Sequence, residues 1–380
     1  MGDRALLITG ATGFLGGLVV AEALARTDAK LVLPLRDPSA SESVLSRVAA
    51  ELAAQRRSAD ASRMIFAELP TAERMGDLLP TLRDHGVTDV LHCAGCLSYF
   101  NVKKLEEGNL ALTRALTELA ADLGARRFVF LSTAYSAGFV DAGTTIAETL
   151  HDAPGTDPTD YTRTKREAEM IVAGSGVPFV IARPSIVVGH SEDGRYGGKP
   201  YGIYQLWTAF ERFLAAAYPP VLHIVAADVP VNFLHQDSFI SGFWAAYSEL
   251  PDGSVVHLVS RNEALPSMRE LCHHWLEQNG GPNEVHFYGR LDEVPPGEVD
   301  EQLQLWLEFT AVNSEIASVN WPFEHGHLDD LRTRGLPFED ASLASLAISE
   351  RRFIADSPRV TKFIHEYRER GSSKTRIVDH

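Results

Sequence analysis

Leu6–Gly16, LLITGATGFLG, is the stretch from which the rest of the chain is read. A short apolar run, Ala5 to Ile8, enters glycines at 10, 13 and 16, and an apolar, alanine-rich segment from Leu15 to Ala25 follows. The pattern predicts strand, tight turn and helix. Gly10 permits the turn, Gly13 lets backbone N–H groups approach a pyrophosphate, and Gly16 lets the helix pack close to the strand. A helix N-terminus at this point adds partial positive charge and free donors for phosphate oxygens. Glycines at this spacing occur in many loops; a strand before them and a helix after them make a dinucleotide turn.

Working outward, Lys30–Leu35 is a second β-like run, and it ends in Arg36. A dinucleotide site places an acid at the tip of this strand for a ribose 2′-hydroxyl, or an arginine for a 2′-phosphate. Arg36 stands at the tip, and Arg47 lies on a predicted helix, Ser41–Arg57, where it could close on the same group. The expected cofactor is therefore NADPH; Asp37, the counter-signal, belongs to an Asp-Pro turn.

Met64–Leu69 and Thr88–His92 read as the next strands, the second running into Cys93-Ala94-Gly95-Cys96. Leu105–Leu123 has helical periodicity and carries Asn109 on an apolar face, where an asparagine needs a reason because it competes for backbone hydrogen bonds. Arg127–Leu131 is a buried fifth strand ending in Ser132-Thr133-Ala134-Tyr135. Ligands of open α/β sheets sit beyond the carboxyl ends of strands, so chemistry is expected there. Tyr161 and Lys165 are four residues apart and share a helix face. An ammonium so placed lowers a phenol's pKa by stabilising the phenolate. Val177–Ala182 is a sixth strand, followed by Arg183-Pro184-Ser185-Ile186-Val187-Val188-Gly189.

The alternation of strands and helices predicts an α/β fold, a Rossmann-type doubly wound parallel sheet. Ser191–Pro200 is glycine-rich and expected to be mobile, Tyr204–Ala217 is an aromatic helix, and Ser254–Ser260 reads as the last strand. Beyond Asn262 the remainder reads as mainly helical, with a loose tail after Gly371. The expected division is a discontinuous NADP-binding domain, 1–190 and 222–261, and a smaller substrate-binding domain, 191–221 and 262–380.

With 51 acidic against 35 basic residues and a net charge of −16, the chain is poorly suited to a phosphate backbone, and no nucleic acid is expected. No apolar run approaches the ~20 residues of a membrane helix. The first strand begins within a few residues of Met1, so no signal peptide and a cytoplasmic setting are expected. Cys93, Cys96 and Cys272 fit a reducing compartment; Cys93 and Cys96 have a redox spacing but, at a strand end, read as two small packed thiols. His273-His274 and His325-Gly326-His327 lack a third ligand at useful spacing, so no metal is expected.

TGATGFLG, the STAY segment, Y-x-x-x-K and RPSIVVG, in this order over about residues 5–260, resemble the extended short-chain dehydrogenase/reductase family. The narrower resemblance is to thioester reductases: terminal reductase domains of nonribosomal peptide and polyketide enzymes, and fatty acyl-CoA reductases. Arg36, Arg47, FLSTAY and Ala227-Asp228-Val229-Pro230-Val231 carry it. The chain departs from that pattern at Glu68, where Asp is usual, at Asn232, again in place of Asp, and at Cys93 and Cys96.

The resemblance implies that Thr133, Tyr161 and Lys165 are catalytic, with Asn109 in support. It implies cofactor contacts at Gly10, Thr12, Gly13, Phe14, Leu15, Gly16, Arg36, Arg47, Leu69, Ala94, Gly95, Lys165, Pro184 and Ser185. The implied reaction is NADPH-dependent reductive release of an acyl thioester, bound to CoA or a phosphopantetheinyl carrier protein, as an aldehyde or, after a second hydride, an alcohol. Tyr161 would donate the proton, Thr133 would bind the developing oxyanion, and Lys165 would tune Tyr161 and hold the nicotinamide ribose. Two rivals stand beside it. A sugar epimerase or dehydratase shares the fold, but Ala134-Tyr135 replaces the dehydratases' Asp-Glu pair; a ketone or alcohol dehydrogenase stays open. A redox-inactive NADP-sensing regulator typically lacks the Tyr or the Lys, and both are present here.

Overall fold

The computed structural model describes residues 5–97, 101–138, 143–152, 157–215, 218–295, 297, 301–317, 321–370 and 375–380. Their strands are β1 (Ala5–Thr9), β2 (Lys30–Leu35), β3 (Met64–Glu68), β4 (Val87–His92), β5 (Arg127–Leu131), β6 (Phe179–Pro184), β7 (Ile186–Val188), β8 (Val221–Val225), β9 (Phe233–His235), β10 (Ser254–Leu258), β11 (Glu284–Tyr288) and β12 (Arg376–Asp379). Seven form one sheet in the order β10-β6-β5-β4-β1-β2-β3, every neighbouring pair parallel. The order reverses between β1 and β4, which is where such sheets bind ligands.

Continuous apolar runs are what a sheet covered on both faces demands. In β1, Leu6 and Ile8 enter one core and Ala5 and Leu7 the other. Helices α1 (Phe14–Arg26) and α2 (Ser41–Ala54) cover the first face; α3 (Leu79–Asp84), α4 (Val102–Leu105), α5 (Leu112–Leu123) and α6 (Asp160–Ala173) lie along the other half of the crossovers. α7 (Ile203–Leu214) belongs to a second core. α8 (Gln236–Glu249) returns to the first through Phe239, Phe243 and Trp244. It had no sequence forecast, because its apolar residues lie all round and leave no clean stripe.

The second core joins α7 to α9 (Met268–Asn279), α10 (Glu301–Ala317), α12 (Leu343–Asp356) and α13 (Pro358–Arg370), with α11 (Gly326–Thr333) set against the first. Trp207, Phe210, Trp275 and Trp306 pack at its centre, with Phe210 5.1 Å from both Trp275 and Trp306. The aromatic stripe of α7 is thus core.

Beside the helices of the second core, β8, β11 and β12 form a parallel sheet in the order β12-β11-β8, and two expectations need correction. Ser254–Ser260 is therefore not the last strand, and the tail is anchored by β12 pairing from Glu284–Arg376 to Phe287–Asp379. Leu222 and Ile224 of β8 lie in the second core. Lone short strands carry little periodicity, and what fixes them is a partner distant in sequence. Among the described residues no helix is long and apolar enough to cross a membrane.

Candidate active site

The glycine turn is as tight as its spacing predicts. Gly10 adopts φ +79°, and a Cβ there would meet Ala94 N at 2.6 Å and Cys93 C at 2.7 Å, across the β1–β4 switch. A Cβ on Gly16 would meet Gly10 O at 2.1 Å. Gly13 N donates to Gly10 O at 2.8 Å. Arg47 reaches over from α2, donating from Nη2 to Ala11 O at 2.9 Å.

A cleft of 540 Å³ opens beyond the strand ends. It gathers Thr12 to Gly16, Arg47, Ala94, Gly95, Pro184 and Ser185 from the expected cofactor contacts, and Thr133, Tyr161 and Lys165 from the expected catalytic set. Gly10, Arg36, Leu69 and Asn109 do not line it. Gly10 shapes the turn from behind. Arg36 is exposed, with its guanidinium beside Gly108, and Leu69 N donates to Leu35 O at 2.8 Å.

Thr133 lies just past β5, nearly buried. Tyr161 and Lys165 stand on α6, whose start is set by Thr159: its hydroxyl accepts from Thr162 N, and Thr162 answers to Thr159 N. This reciprocal cap places Tyr161 in the first turn. Lys165 is buried, donates from Nζ to Leu131 O at 2.6 Å and lies 4.1 Å from the centre of the Phe130 ring. Burial lowers its pKa to about 8, with Glu169 and Cys93 opposing the fall.

Asn109 acts one step back from the cleft. Its Oδ1 accepts from Cys96 N at 2.7 Å, and its Nδ2 donates to Cys96 O at 3.2 Å and to Thr164 Oγ1 at 3.0 Å. Thr164 in turn donates to Tyr161 O at 2.9 Å. The amide thus ties the loop after β4 to α6 through Thr164. Asn109 sits in a π-helical segment, Glu106–Ala111; such bulges concentrate at functional sites.

Several supporting groups carried no sequence signal. His92 bridges Thr9 and Thr113, with ring nitrogens 2.8 Å and 3.0 Å from their hydroxyls. Burial, helped by Lys165, pushes its pKa down to about 3. Beneath Thr133, Arg183 donates to Glu169 from Nε at 2.9 Å and Nη2 at 2.6 Å, both residues fully buried. Glu169 also accepts from the hydroxyls of Ser132 and Ser136. The Y-x-x-x-K spacing continued by four residues reaches Glu169, which is the one hint the chain offered.

The departures resolve simply. Asn232 gives Nδ2 to Ser260 O at 2.8 Å and takes Ser260 N on Oδ1 at 3.1 Å, which needs both a donor and an acceptor. Cys93 and Cys96 are free thiols, and burial pushes Cys93 up to about 12, far from a reactive thiolate. The glycine-rich loop after β7 is pinned: Ser191 N and Oγ donate to Asp237 at 2.9 and 2.6 Å, and Arg195 pairs with Glu51 at 3.2 Å. Among the described residues no group of three or more His, Cys, Asp or Glu side chains could hold a metal.

The sheet order, the glycine turn at its switch point and the Thr-Tyr-Lys convergence define an NAD(P)-dependent oxidoreductase of the extended short-chain dehydrogenase/reductase class. The family described as Male sterility protein, an NAD-binding family, matches residues 8–237. The chain belongs to this family. It is 30% identical over 336 residues to the non-ribosomal peptide synthetase CmlP of Streptomyces venezuelae, a match covering 86% of this chain. The chain spans about a third (32%) of that relative's length. Among solved structures, the terminal R domain of the myxalamid PKS-NRPS pathway superposes with a TM-score of 0.70 at 19% identity, over 93% of this chain and 91% of that one. A thiolation-reductase di-domain from an archaeal non-ribosomal peptide synthetase gives 0.65 at 18%, over 93% and 90%. At these identities the structures share the fold.

Proposed function

We propose that the chain is an NADPH-dependent reductase of acyl thioesters, releasing the acyl group as an aldehyde, or as an alcohol after a second reduction. The observation that carries this reading is the opening of Thr133, Tyr161 and Lys165 onto the same cleft as the glycine turn. The cleft residues suit a dinucleotide. The turn leaves no room for a Cβ at Gly10 or Gly16, and two buried polar atoms of lining residues, Arg47 Nε and Ser185 Oγ, have no hydrogen-bond partner among the described residues.

When bound, the dinucleotide supplies a hydride. The N-terminal turn of α1 and Arg47 would hold its phosphates, with Arg36 reaching a 2′-phosphate from outside the cleft. The Thr133 hydroxyl and the Tyr161 phenol are the donors for a carbonyl oxygen that gains negative charge beyond β5. Tyr161 gives the proton, and the Lys165 ammonium, fixed by Leu131 O and the Phe130 face, favours the phenolate left behind. Loss of the thiol from the resulting hemithioacetal leaves the aldehyde.

A phosphopantetheinyl carrier protein is the favoured thiol, with natural-product biosynthesis as the setting. Support comes from a peptide synthetase among the relatives and a thiolation-reductase di-domain among the structures. Sugar-nucleotide elimination has less support: Ala134 is buried, and Tyr135 packs on Trp321 and Phe323 at 5.4 and 5.9 Å, leaving no acid or base directly after Thr133.

The test is purified protein with acyl-CoA and carrier-bound thioesters, following nicotinamide absorbance and trapped aldehyde. We expect oxidation of NADPH faster than NADH, with aldehyde formed. Tyr161→Phe lowers kcat by about 10²–10⁴-fold, the span of a general acid, while dinucleotide affinity holds. Turnover of a free ketone or sugar nucleotide with none of any thioester overturns the reading.

A further inference from the structure

The cleft wall is electrostatically one-sided. In a chain of net charge −16, its lining carries Arg47, Lys165 and Lys199 and, among the described residues, no aspartate or glutamate. A low-dielectric wall with cations alone concentrates anions. Two of the three cations are engaged with backbone: Arg47 with Ala11 O, and Lys165 with Leu131 O. Lys199 is exposed, and its ammonium has no ion-pair partner among the described residues.

The fold delivers Lys199 to a particular place. Tyr196 donates from Oη to Lys199 O at 3.0 Å. The Tyr196 ring stacks on Tyr204 at 4.0 Å and leans on Phe14, the first residue of α1, at 4.6 Å. A Cβ on Gly198 would meet that ring at 2.5 Å, so a side chain at 198 would push the Tyr196 ring from this place. The segment is thereby folded onto the N-terminal end of α1, and it lines the same cleft as the glycine turn.

We infer that Lys199 is a phosphate-binding residue that closes over the dinucleotide pyrophosphate while the glycine turn holds it from below. The inference rests on the dinucleotide reading of the cleft. A lysine suits the task, being a compact charge with three donors on a flexible stem. The phosphate of a phosphopantetheine thioester has the same chemistry. The two sources separate because the pyrophosphate is present in NADPH and NADH alike and needs no thioester.

The experiment measures NADPH and NADH dissociation constants of the full chain by fluorescence without thioester, for wild type, Lys199→Ala and Lys199→Arg. The KM for a phosphopantetheinyl thioester is measured alongside. Lys199→Ala is expected to weaken NADPH and NADH by the same factor, about tenfold for one charge-assisted contact, with Lys199→Arg restoring most of it and the thioester KM unchanged. Unchanged dinucleotide affinity with a raised thioester KM overturns the assignment, as does a loss confined to NADPH, which marks the 2′-phosphate. Wild type that binds neither dinucleotide overturns the reading of the cleft as well; wild type that binds, with Lys199→Ala binding equally, overturns this inference alone.

Discussion

Glu169 and Glu350 are buried to nearly the same depth, 0% and 3% exposed, in regions that treat a buried carboxylate in opposite ways. Glu169, under the strand end that carries Thr133, receives a two-bond fork from Arg183 and the hydroxyls of Ser132 and Ser136. Glu350, on α12, receives one amide bond from Asn279 at 2.9 Å, with a His274 nitrogen 4.0 Å away. Burial pushes the Glu350 carboxyl up to about 7, with Asn279 and Arg351 opposing. A charge out of water is kept by a partner or is given up by titration. Glu169 has its cation, Arg183, beside it, whereas the second core holds a carboxyl that burial pushes up to about 7.

The largest effect expected from this contrast is at Arg183. Arg183→Leu strands Glu169 and should cost about 3–5 kcal/mol in urea unfolding, as for a broken buried pair. The double variant with Glu169→Gln should lose less than Arg183→Leu alone; equal or greater loss breaks the comparison.

Glu350→Gln comes next, and its sign is opposite. With its pKa raised from 4.5 to about 7, folded protein binds more protons than unfolded protein between those values. Wild-type stability therefore falls as pH rises through that window, and the penalty persists above it. The variant lacks this penalty, so its advantage over wild type should grow across the window to about 3 kcal/mol above neutrality. A difference independent of pH contradicts the contrast.

The smallest effect is kinetic. Lys165, lowered to about 8 by burial, loses its proton as pH rises, and kcat/KM of the free enzyme should decline above that value. One titration limits the decline to about tenfold per pH unit. Glu169 supports the charged form of Lys165, so Glu169→Gln should move the decline to lower pH. An unmoved profile separates the two groups.

The part of this site legible in the chain was the part written in short spacings. Gly10, Gly13 and Gly16 specify a turn within seven residues, and Tyr161 and Lys165 share a face through one helical repeat. Arg47 was legible because it follows the strand tip by one helical segment, and it does reach the turn. Asn109 was noticed as an oddity, but its partners, Cys96 and Thr164, come from two other elements. His92, Arg183 and Lys199 could not be chosen in advance: His92 is held by Thr9 and Thr113, Arg183 by Glu169, and Lys199 comes to the cleft wall through Tyr196, which leans on the distant Phe14. The second sheet was missed for the same reason: β8, β11 and β12 lie far apart and pair across the interval.

The sequence by itself determined the parallel sheet, the glycine turn and the shared helix face of Tyr161 and Lys165, because buried runs, glycine spacing and helical repeats are local and survive without knowledge of the partner. Only the tertiary structure decided which charges are shared, which are alone and which face the cleft. Burial and pairing are properties of the surroundings of a side chain, and those surroundings are assembled from distant segments.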